Sequence, residues 1–168
     1  MKRLLAAGLA AGLLGVGCRR TEASPAPLRA DSVRVEKAAH KLFLYQGARV
    51  LKVYSVALGR NPAGPKTREG DGRTPEGRYV VDGRDARSGF HLALHLSYPN
   101  ASDRERAARL GAPPGGNILI HGLRNGLGWL GPLHRMRDWT QGCVAVTDAE
   151  IEEIWNAVPD GTPVEIVP

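Results

Sequence analysis

Two short apolar runs, joined by a long glycine-rich stretch, constrain the fold of this chain more than any other feature. The first run covers residues 118–120 and ends at His121, and the second covers residues 144–146 and follows Cys143 directly. If each run is a buried strand, two neighbouring strands would bring an imidazole and a thiol together, although His121 and Cys143 are 22 positions apart.

A histidine beside a cysteine is typical of nucleophilic chemistry. The thiolate is the nucleophile, and a free thiol is mostly un-ionised at neutral pH, so the thiol needs a neighbouring base. Gly122 and Gly142 flank His121 and Cys143, and glycines let backbone N–H groups approach a developing oxyanion. Taken singly, Cys143 could be a small buried hydrophobe and His121 a structural group at a strand end. Together, these residues favour a catalytic site.

The same stretch resembles the catalytic segment of the L,D-transpeptidase family, also called the YkuD domain. The family signature is a His, then a spacer, then Ser or Thr, His, Gly and Cys, then an apolar residue and an Asn or Arg. His121, Thr140, Gly142 and Cys143 stand at the matching positions, with 18 residues between His121 and Thr140. The resemblance covers residues 31–168.

Two positions depart from the family signature. Gln141 replaces the second His, and Ala145 replaces an Asn or Arg. The form DWTQGCVAVT, preceded by IHGLRNGLGWLGPLHR, resembles the YafK-type subgroup, which carries such changes. We therefore interpret the two departures as a mark of the subgroup.

The resemblance implies a mechanism on peptidoglycan stem peptides. The thiolate of Cys143 would attack a stem-peptide carbonyl while His121 acts as general base and then as general acid. The carbonyl of Gly122 would orient the imidazole, and Thr140 would steady the turn before the cysteine. The oxyanion hole would consist of the backbone N–H groups of Gln141, Gly142 and Cys143. An amine acceptor would give a crosslink and water would give trimming, without a metal or an organic cofactor.

The sequence leaves three alternatives open. The first is a hydrolase with the same Cys143 and His121 pair, either an L,D-carboxypeptidase or an amidase that releases wall-bound protein. The second is a non-catalytic wall-binding module, which the changes at Gln141 and Ala145 favour weakly. The third is a cysteine protease of general substrates, but the order of His before Cys and the β-rich pattern do not suit a papain-like fold.

The N-terminal residues resemble a bacterial lipoprotein signal. Residues 1–18 combine Lys2 and Arg3 with an apolar stretch that is too short to span a bilayer comfortably, and they end at Cys18. We expect Cys18 to be lipidated and residues 19–30, rich in Pro and Ala, to be a flexible tether. Ordinary signal cleavage and an uncleaved anchor are alternatives, and all three predict export.

Export makes the cysteine count informative. The chain has two cysteines, Cys18 and Cys143. If Cys18 carries the lipid, Cys143 is the remaining thiol, and an unpaired cysteine in an oxidising compartment is a liability unless it is used. We expect a membrane-anchored lipoprotein on the periplasmic or cell-envelope side, in monomeric form.

The net charge of +6 suits work beside an anionic polymer or a membrane surface. Nucleic acid is disfavoured as a partner, because the basic residues are scattered and aromatic residues make up only 5% of the chain.

Residues 31–168 are predicted to form one mainly β domain with short helices. We expect the YkuD-type fold, either a β-sandwich or a curled mixed sheet. Strands are predicted at residues 32–36, in a hairpin over 41–58, and at 78–82, 90–97, 144–146 and 164–167. Helices are predicted at residues 102–110, capped by Ser102, and after Thr147, where Glu150 completes a capping box. The glycine-rich loop 59–78 lacks the Gly-Lys-Ser/Thr of a phosphate-binding loop, so we interpret it as a set of turns.

The substrate cleft is predicted to lie along the polar face of strand 90–97 and the loop 123–139. Candidate contact residues are His95, Tyr98, Asn100, Trp129 and Arg137. Arginines in this loop could meet stem carboxylates, although Trp129 and Trp139 could also simply pack the loop down. Zinc binding by His91, His95 and His121 is disfavoured, because no carboxylate or thiol accompanies them at ligand spacing.

Overall fold

The computed structural model describes residues 28–168 of the chain. The predicted signal segment with Cys18 and residues 19–27 of the predicted tether lie outside the described residues. Within residues 28–168, no helix is long and apolar enough to cross a membrane.

The described chain contains eight strands and two α-helices. The strands are β1 Ser32–Glu36, β2 Lys41–Gln46, β3 Arg49–Ser55, β4 Gly77–Asp85, β5 Ala93–Leu96, β6 Leu119–His121, β7 Val144–Ala145 and β8 Pro163–Val167. The helices are α1 Ala101–Arg109 and α2 Asp148–Ala157, and a 3₁₀ segment covers Gly128–Met136.

The eight strands form one curled mixed sheet in the order β3-β2-β1-β8-β4-β5-β6-β7. The pairs β1–β8 and β6–β7 are parallel, and the other neighbours are antiparallel. The predicted mainly β fold is therefore confirmed, in its curled-sheet form. The predicted hairpin is also confirmed, since β2 and β3 turn at Gly47 with a positive φ of 56°.

Alternating burial explains why these segments form strands. In β1 and β2, the side chains of Val33, Val35, Leu42 and Leu44 are all at most 2% exposed, and their neighbours face outward. Each such apolar side chain contributes about 1.5–3 kcal/mol when it is fully buried. The core continues under β5, β6 and β7 and ends against α2.

Helix α2 holds the β6–β7 end of the sheet in place. Thr147 accepts a hydrogen bond from the backbone N–H of Glu150, whose carboxylate accepts one from the backbone N–H of Thr147, so the predicted capping box is confirmed. Ile151 and Ile154 are fully buried against the sheet. The helix therefore fixes the chain that leaves β7.

Three local predictions differ from the structure. Strand β5 begins at Ala93 and not at residue 90, because His91 adopts a left-handed φ of 67°. Helix α1 is capped by Asn100 and not by Ser102, since Asn100 Oδ1 accepts from the N–H of Asp103 at 3.0 Å. The 3₁₀ segment Gly128–Met136, broken at Gly131, lies in what was predicted as loop.

Buried lysines organise the glycine-rich loop that precedes β4. Lys37, 3% exposed, donates through Nζ to the carbonyls of Gly64 and Thr74 and to Glu76 Oε1, at 2.6, 3.0 and 2.7 Å. Lys66, also 3% exposed, pairs with Asp71 at 2.8 Å. Charged groups therefore take the place of an apolar core in this segment.

Asp71 is the centre of the loop. Its carboxylate accepts hydrogen bonds from Lys66 Nζ and from the backbone N–H groups of Thr67, Arg68 and Arg73. Burial alone would raise the pKa of Asp71, but these hydrogen bonds outweigh it and lower the pKa to about 2. The carboxylate is therefore ionised throughout the physiological range.

Candidate active site

The parallel pair β6–β7 places His121 and Cys143 on one face of the sheet. Ile120 lies beside Val144 and His121 beside Ala145, so the register continues with Leu119 beside Cys143. Residues two apart on a strand share a face, and the strand spacing puts the Cα atoms of His121 and Cys143 roughly 8 Å apart. The two side chains that the sequence singled out thus start from neighbouring positions.

The imidazole of His121 is buried and held in one tautomer. Its Nδ1 lies 2.7 Å from the carbonyl oxygen of Gly122, which can only accept, so Nδ1 carries the proton and Nε2 is the basic nitrogen. The rings of Phe90 and Trp139 pack on the imidazole with centroid distances of 4.5 and 5.8 Å. Burial lowers the pKa of His121, and the hydrogen bond to Gly122 opposes that effect only in part. The resting imidazole is therefore neutral, as a general base must be.

The thiol of Cys143 is half-buried, and its resting form is also neutral. Burial raises the pKa of Cys143, while the backbone N–H of Leu119 and the charge of Lys66 pull it down less strongly. Sγ lies 3.7 Å from the carbonyl oxygen of Asn117. Among the described residues, no hydrogen bond joins this thiol to His121.

Thr140 shapes the turn that carries the cysteine. Its Oγ1 accepts from the N–H of Gly142 at 3.0 Å and donates to the carbonyl of Cys143 at 2.8 Å. The N–H of Gly142 is therefore engaged inside the turn and differs from its predicted place in the oxyanion hole. The N–H groups of Gln141 and Cys143 are the remaining candidates, and the side chain of Gln141 is turned outward to Arg60.

Gly142 is required by the backbone at this turn. Its φ is +135°, and a Cβ at this position would lie 2.6 Å from the carbonyl oxygen of Arg73 in the loop before β4. The carbonyl of Arg73 is itself fixed through the contacts that its segment makes to Asp71. The glycine-rich loop and the cysteine turn therefore support each other.

We expect Gly142→Ala to lower the rate of thiol acylation by about 10–100-fold, because the added Cβ displaces the turn that positions Cys143. The rate at which a carbapenem acylates the protein, followed by intact-mass spectrometry, measures this effect. Gly126→Ala, at a positive-φ glycine with no atom within 4 Å of the added Cβ, is the matched control. Equal rates for the two variants would contradict the prediction.

Gly122 is constrained by packing and not by its φ angle. A Cβ there would lie 2.8 Å from Asp148 Oδ1 and 2.9 Å from Ile151 Cγ2. The same Asp148 oxygen accepts from the N–H of Leu123 at 2.7 Å. Helix α2 thus fixes the carbonyl that orients His121.

The remaining predicted contact residues fall into two groups. Tyr98 lies in the core, 4% exposed, and donates through its hydroxyl to the carbonyl of Pro114, and Asn100 is used as the cap of α1. We assign both of these residues structural roles. Trp129, 76% exposed, and Arg137 lie on the surface of the segment between β6 and β7.

His95 lies on the same face of the sheet as Cys143. It pairs with Leu119 across β5 and β6, and its imidazole is hydrogen-bonded to Asp82. His91 points elsewhere and contacts Glu152. Within residues 28–168, no group of three or more His, Cys, Asp and Glu side chains is arranged to hold a metal ion.

Sequence reasoning missed four residues that shape the site. Phe90 and Trp139 enclose the imidazole, Asp148 fixes the segment after His121, and Lys66 acts electrostatically on the thiol. Trp139 stands next to Thr140 in sequence, which is a local signal for a site residue. Asp148 lies five positions after Cys143, whereas Phe90 and Lys66 come from distant segments, and nothing near those two in sequence marks them as site residues.

The fold and the position of the site define a catalytic domain of the L,D-transpeptidase type. The sequence matches the family model of the L,D-transpeptidase catalytic domain, YkuD, over residues 30–166, and the chain belongs to that family.

Several known proteins are similar to this chain. YafK of Escherichia coli (strain K12) is 28% identical over 132 residues, which are 75% of this chain and 46% of YafK. The structure of the helical cell shape determining protein Pgp2 from Campylobacter jejuni superposes with a TM-score of 0.59 and 25% identity, over 80% of this chain and 46% of Pgp2. Bd1075 from Bdellovibrio bacteriovorus gives a TM-score of 0.57 and 25% identity, over 83% of this chain and 48% of Bd1075. The chain spans about half the length of these relatives.

Proposed function

We propose that this protein is a cysteine-dependent L,D-transpeptidase that acts on peptidoglycan stem peptides. One observation carries the proposal: a neutral imidazole whose basic nitrogen is Nε2 and a half-buried thiol share one face of the sheet at the β6–β7 pair. Family membership supports the reaction class, and the resemblance of the motif supports the substrate class.

In the first half-reaction, Nε2 of His121 takes the proton of Cys143, and the sulfur attacks the carbonyl carbon of the stem-peptide bond before the terminal D-Ala. The S–C bond forms, and the C–N bond breaks when the imidazolium returns its proton to the leaving amine. The N–H groups of Gln141 and Cys143 would stabilise the oxyanion. No charge is left on the protein after this step, because the thioester and the imidazole are both neutral.

In the second half-reaction, an amine of another stem attacks the thioester carbonyl. His121 accepts the proton from the attacking amine, the new C–N bond forms, and the S–C bond breaks to give the thiolate, which is reprotonated by the imidazolium. Water in place of the amine would give a trimmed stem by the same steps. The choice between amine and water thus decides between a transpeptidase and an L,D-carboxypeptidase.

The test is intact-mass spectrometry of the full-length protein and its products with a disaccharide tetrapeptide, with and without a second stem as acceptor. Loss of D-Ala together with dimer formation, both absent in Cys143→Ala, is the expected result. Loss of D-Ala without dimers would establish the hydrolase instead. No product, from a thiol that also does not react with a carbapenem, would contradict the transpeptidase and the L,D-carboxypeptidase and leave the protein-releasing amidase and the wall-binding module.

We further infer that the protein works in the cell envelope, where its proposed substrate lies, as a monomer anchored through a lipid on Cys18. The motif ending at Cys18 and the net charge of +6 support this inference. Mass spectrometry of the protein from the membrane fraction tests it, because an unmodified Cys18 would contradict the lipid anchor.

A further inference from the structure

A strip of the sheet surface leads from the thiol of Cys143 to a hydrogen-bonded pair, His95 and Asp82. His95 on β5 lies beside Leu119 on β6, and the register of β6 and β7 continues this row to Cys143. Two strand spacings separate the ends of the row, so the Cα atoms of His95 and Cys143 lie about 10 Å apart. All three side chains leave the same face.

This row is open, whereas the neighbouring row on the same face is closed. His95, Leu119 and Cys143 are each half-buried. Ala93 and His121, which form the next row, are 1% and 2% exposed, and Phe90 and Trp139 pack over the imidazole. A substrate that reaches the thiol can therefore lie along the open row, with the partly exposed Leu119 as its apolar floor.

A β-bulge brings a carboxylate to the far end of the row. Val81 pairs with Leu96 and Gly83 with His95, so Asp82 is an extra residue on β4. Bulges re-aim side chains and are frequent beside active sites. Here Asp82 Oδ1 is hydrogen-bonded to His95 Nδ1, the side chain of Asp82 is 40% exposed, and within residues 28–168 its Oδ2 accepts no hydrogen bond.

We propose that Asp82, oriented by His95, binds the ammonium group at the end of the diamino-acid side chain of the donor stem peptide. This inference rests on the proposed function. An extended diamino-acid side chain carries its ammonium about 7 Å from the backbone carbonyl that the thiol attacks, from ordinary bond lengths. The Cα atoms of His95 and Cys143 are about 10 Å apart, and the His95 side chain and its partner Asp82 stand at the far end of the row, so an ammonium group about 7 Å from the attacked carbonyl can come near Asp82. Oδ2 of Asp82 offers this ammonium a charge-assisted acceptor.

The experiment measures binding, so it does not depend on which acceptor the protein uses. Cys143→Ala and Cys143→Ala/Asp82→Asn are titrated by calorimetry with two tetrapeptides, one with the free side-chain ammonium and one with that amine acetylated. We expect Cys143→Ala to prefer the free ammonium by about two- to fivefold, the usual range for a partly exposed ion pair, and Asp82→Asn to remove the preference. The acetylated peptide should bind both proteins equally.

Glu105→Gln is the matched control, because it removes one exposed negative charge on α1 without touching the strip. It should leave the preference for the free ammonium intact. An unchanged preference after Asp82→Asn, an equal loss for both peptides, or no binding of either peptide would overturn the subsite. Failure of the proposed function is distinguished by a thiol that does not react with a carbapenem at all.

Discussion

Replacing His121 by glutamine is expected to slow acyl-enzyme formation by about 10²–10⁴-fold, the usual contribution of a positioned general base. Glutamine can still donate to the carbonyl of Gly122, so the buried site keeps its hydrogen bond while it loses the basic nitrogen. The rate of carbapenem acylation, measured across a pH series, gives the effect. Circular dichroism and the thermal midpoint of the variant show whether the fold is retained.

The pH profile separates the catalytic role of His121 from a packing role. Because burial lowers the pKa of His121, the imidazole stays neutral as the pH falls through the usual histidine value of about 6.5, and the acid limb of the wild-type rate lies below that value. In His121→Gln, the rate should instead climb with pH as the thiol ionises unaided, above the usual thiol value of about 8.5, because burial raises the pKa of Cys143. A variant with a uniformly lowered profile of unchanged shape would contradict the general-base role.

Asp71→Ala is expected to lower the free energy of unfolding by about 3–5 kcal/mol, because it leaves the buried ammonium of Lys66 without its partner. The variant also removes the acceptor of three backbone N–H groups. Urea denaturation measures the change. Since the loop supports Gly142 through the carbonyl of Arg73, thiol acylation should fall even at temperatures where the variant remains folded.

Two further variants decide whether the lower free energy of unfolding in Asp71→Ala comes from breaking the buried ion pair or from the loss of a charge alone. Glu105→Ala breaks an exposed pair with Arg109, whose atoms are 4.0 Å apart, and should change the unfolding free energy by no more than about 0.5 kcal/mol. Lys66→Met combined with Asp71→Leu removes both buried charges and should recover part of the loss. If Asp71→Ala were as stable as Glu105→Ala, the loop would not depend on this ion pair.

The sequence predicts those parts of the fold whose signals are local. Strand β1, the hairpin of β2 and β3, and the capping box of Thr147 and Glu150 are each set by residues within a few positions, and the structure confirms them. His121 and Cys143 are identified from the glycines and apolar runs beside them. In the same way, the family resemblance rests on contiguous motifs.

Predictions fail where a side chain is used by a distant segment. Tyr98 and Asn100 were predicted to be cleft residues from their place in a motif, but packing against the core and helix capping occupy them. Asp82 has no sequence signal, because its role depends on a bulge that appears only when β4 pairs with β5. The partners of Lys66 and Asp148 likewise become apparent only after the chain has folded.

The strand order has a consequence for the synthesis of the protein. Strand β8, the last strand among residues 28–168, lies between β1 and β4 in the middle of the sheet and pairs with both. Strands β1–β3 therefore cannot join strands β4–β7, which include His121, until residues 163–167 have left the ribosome. Such long-range pairing slows folding, and a nascent chain of this topology keeps the edges of β1 and β4 unpaired until residues 163–167 can insert between them.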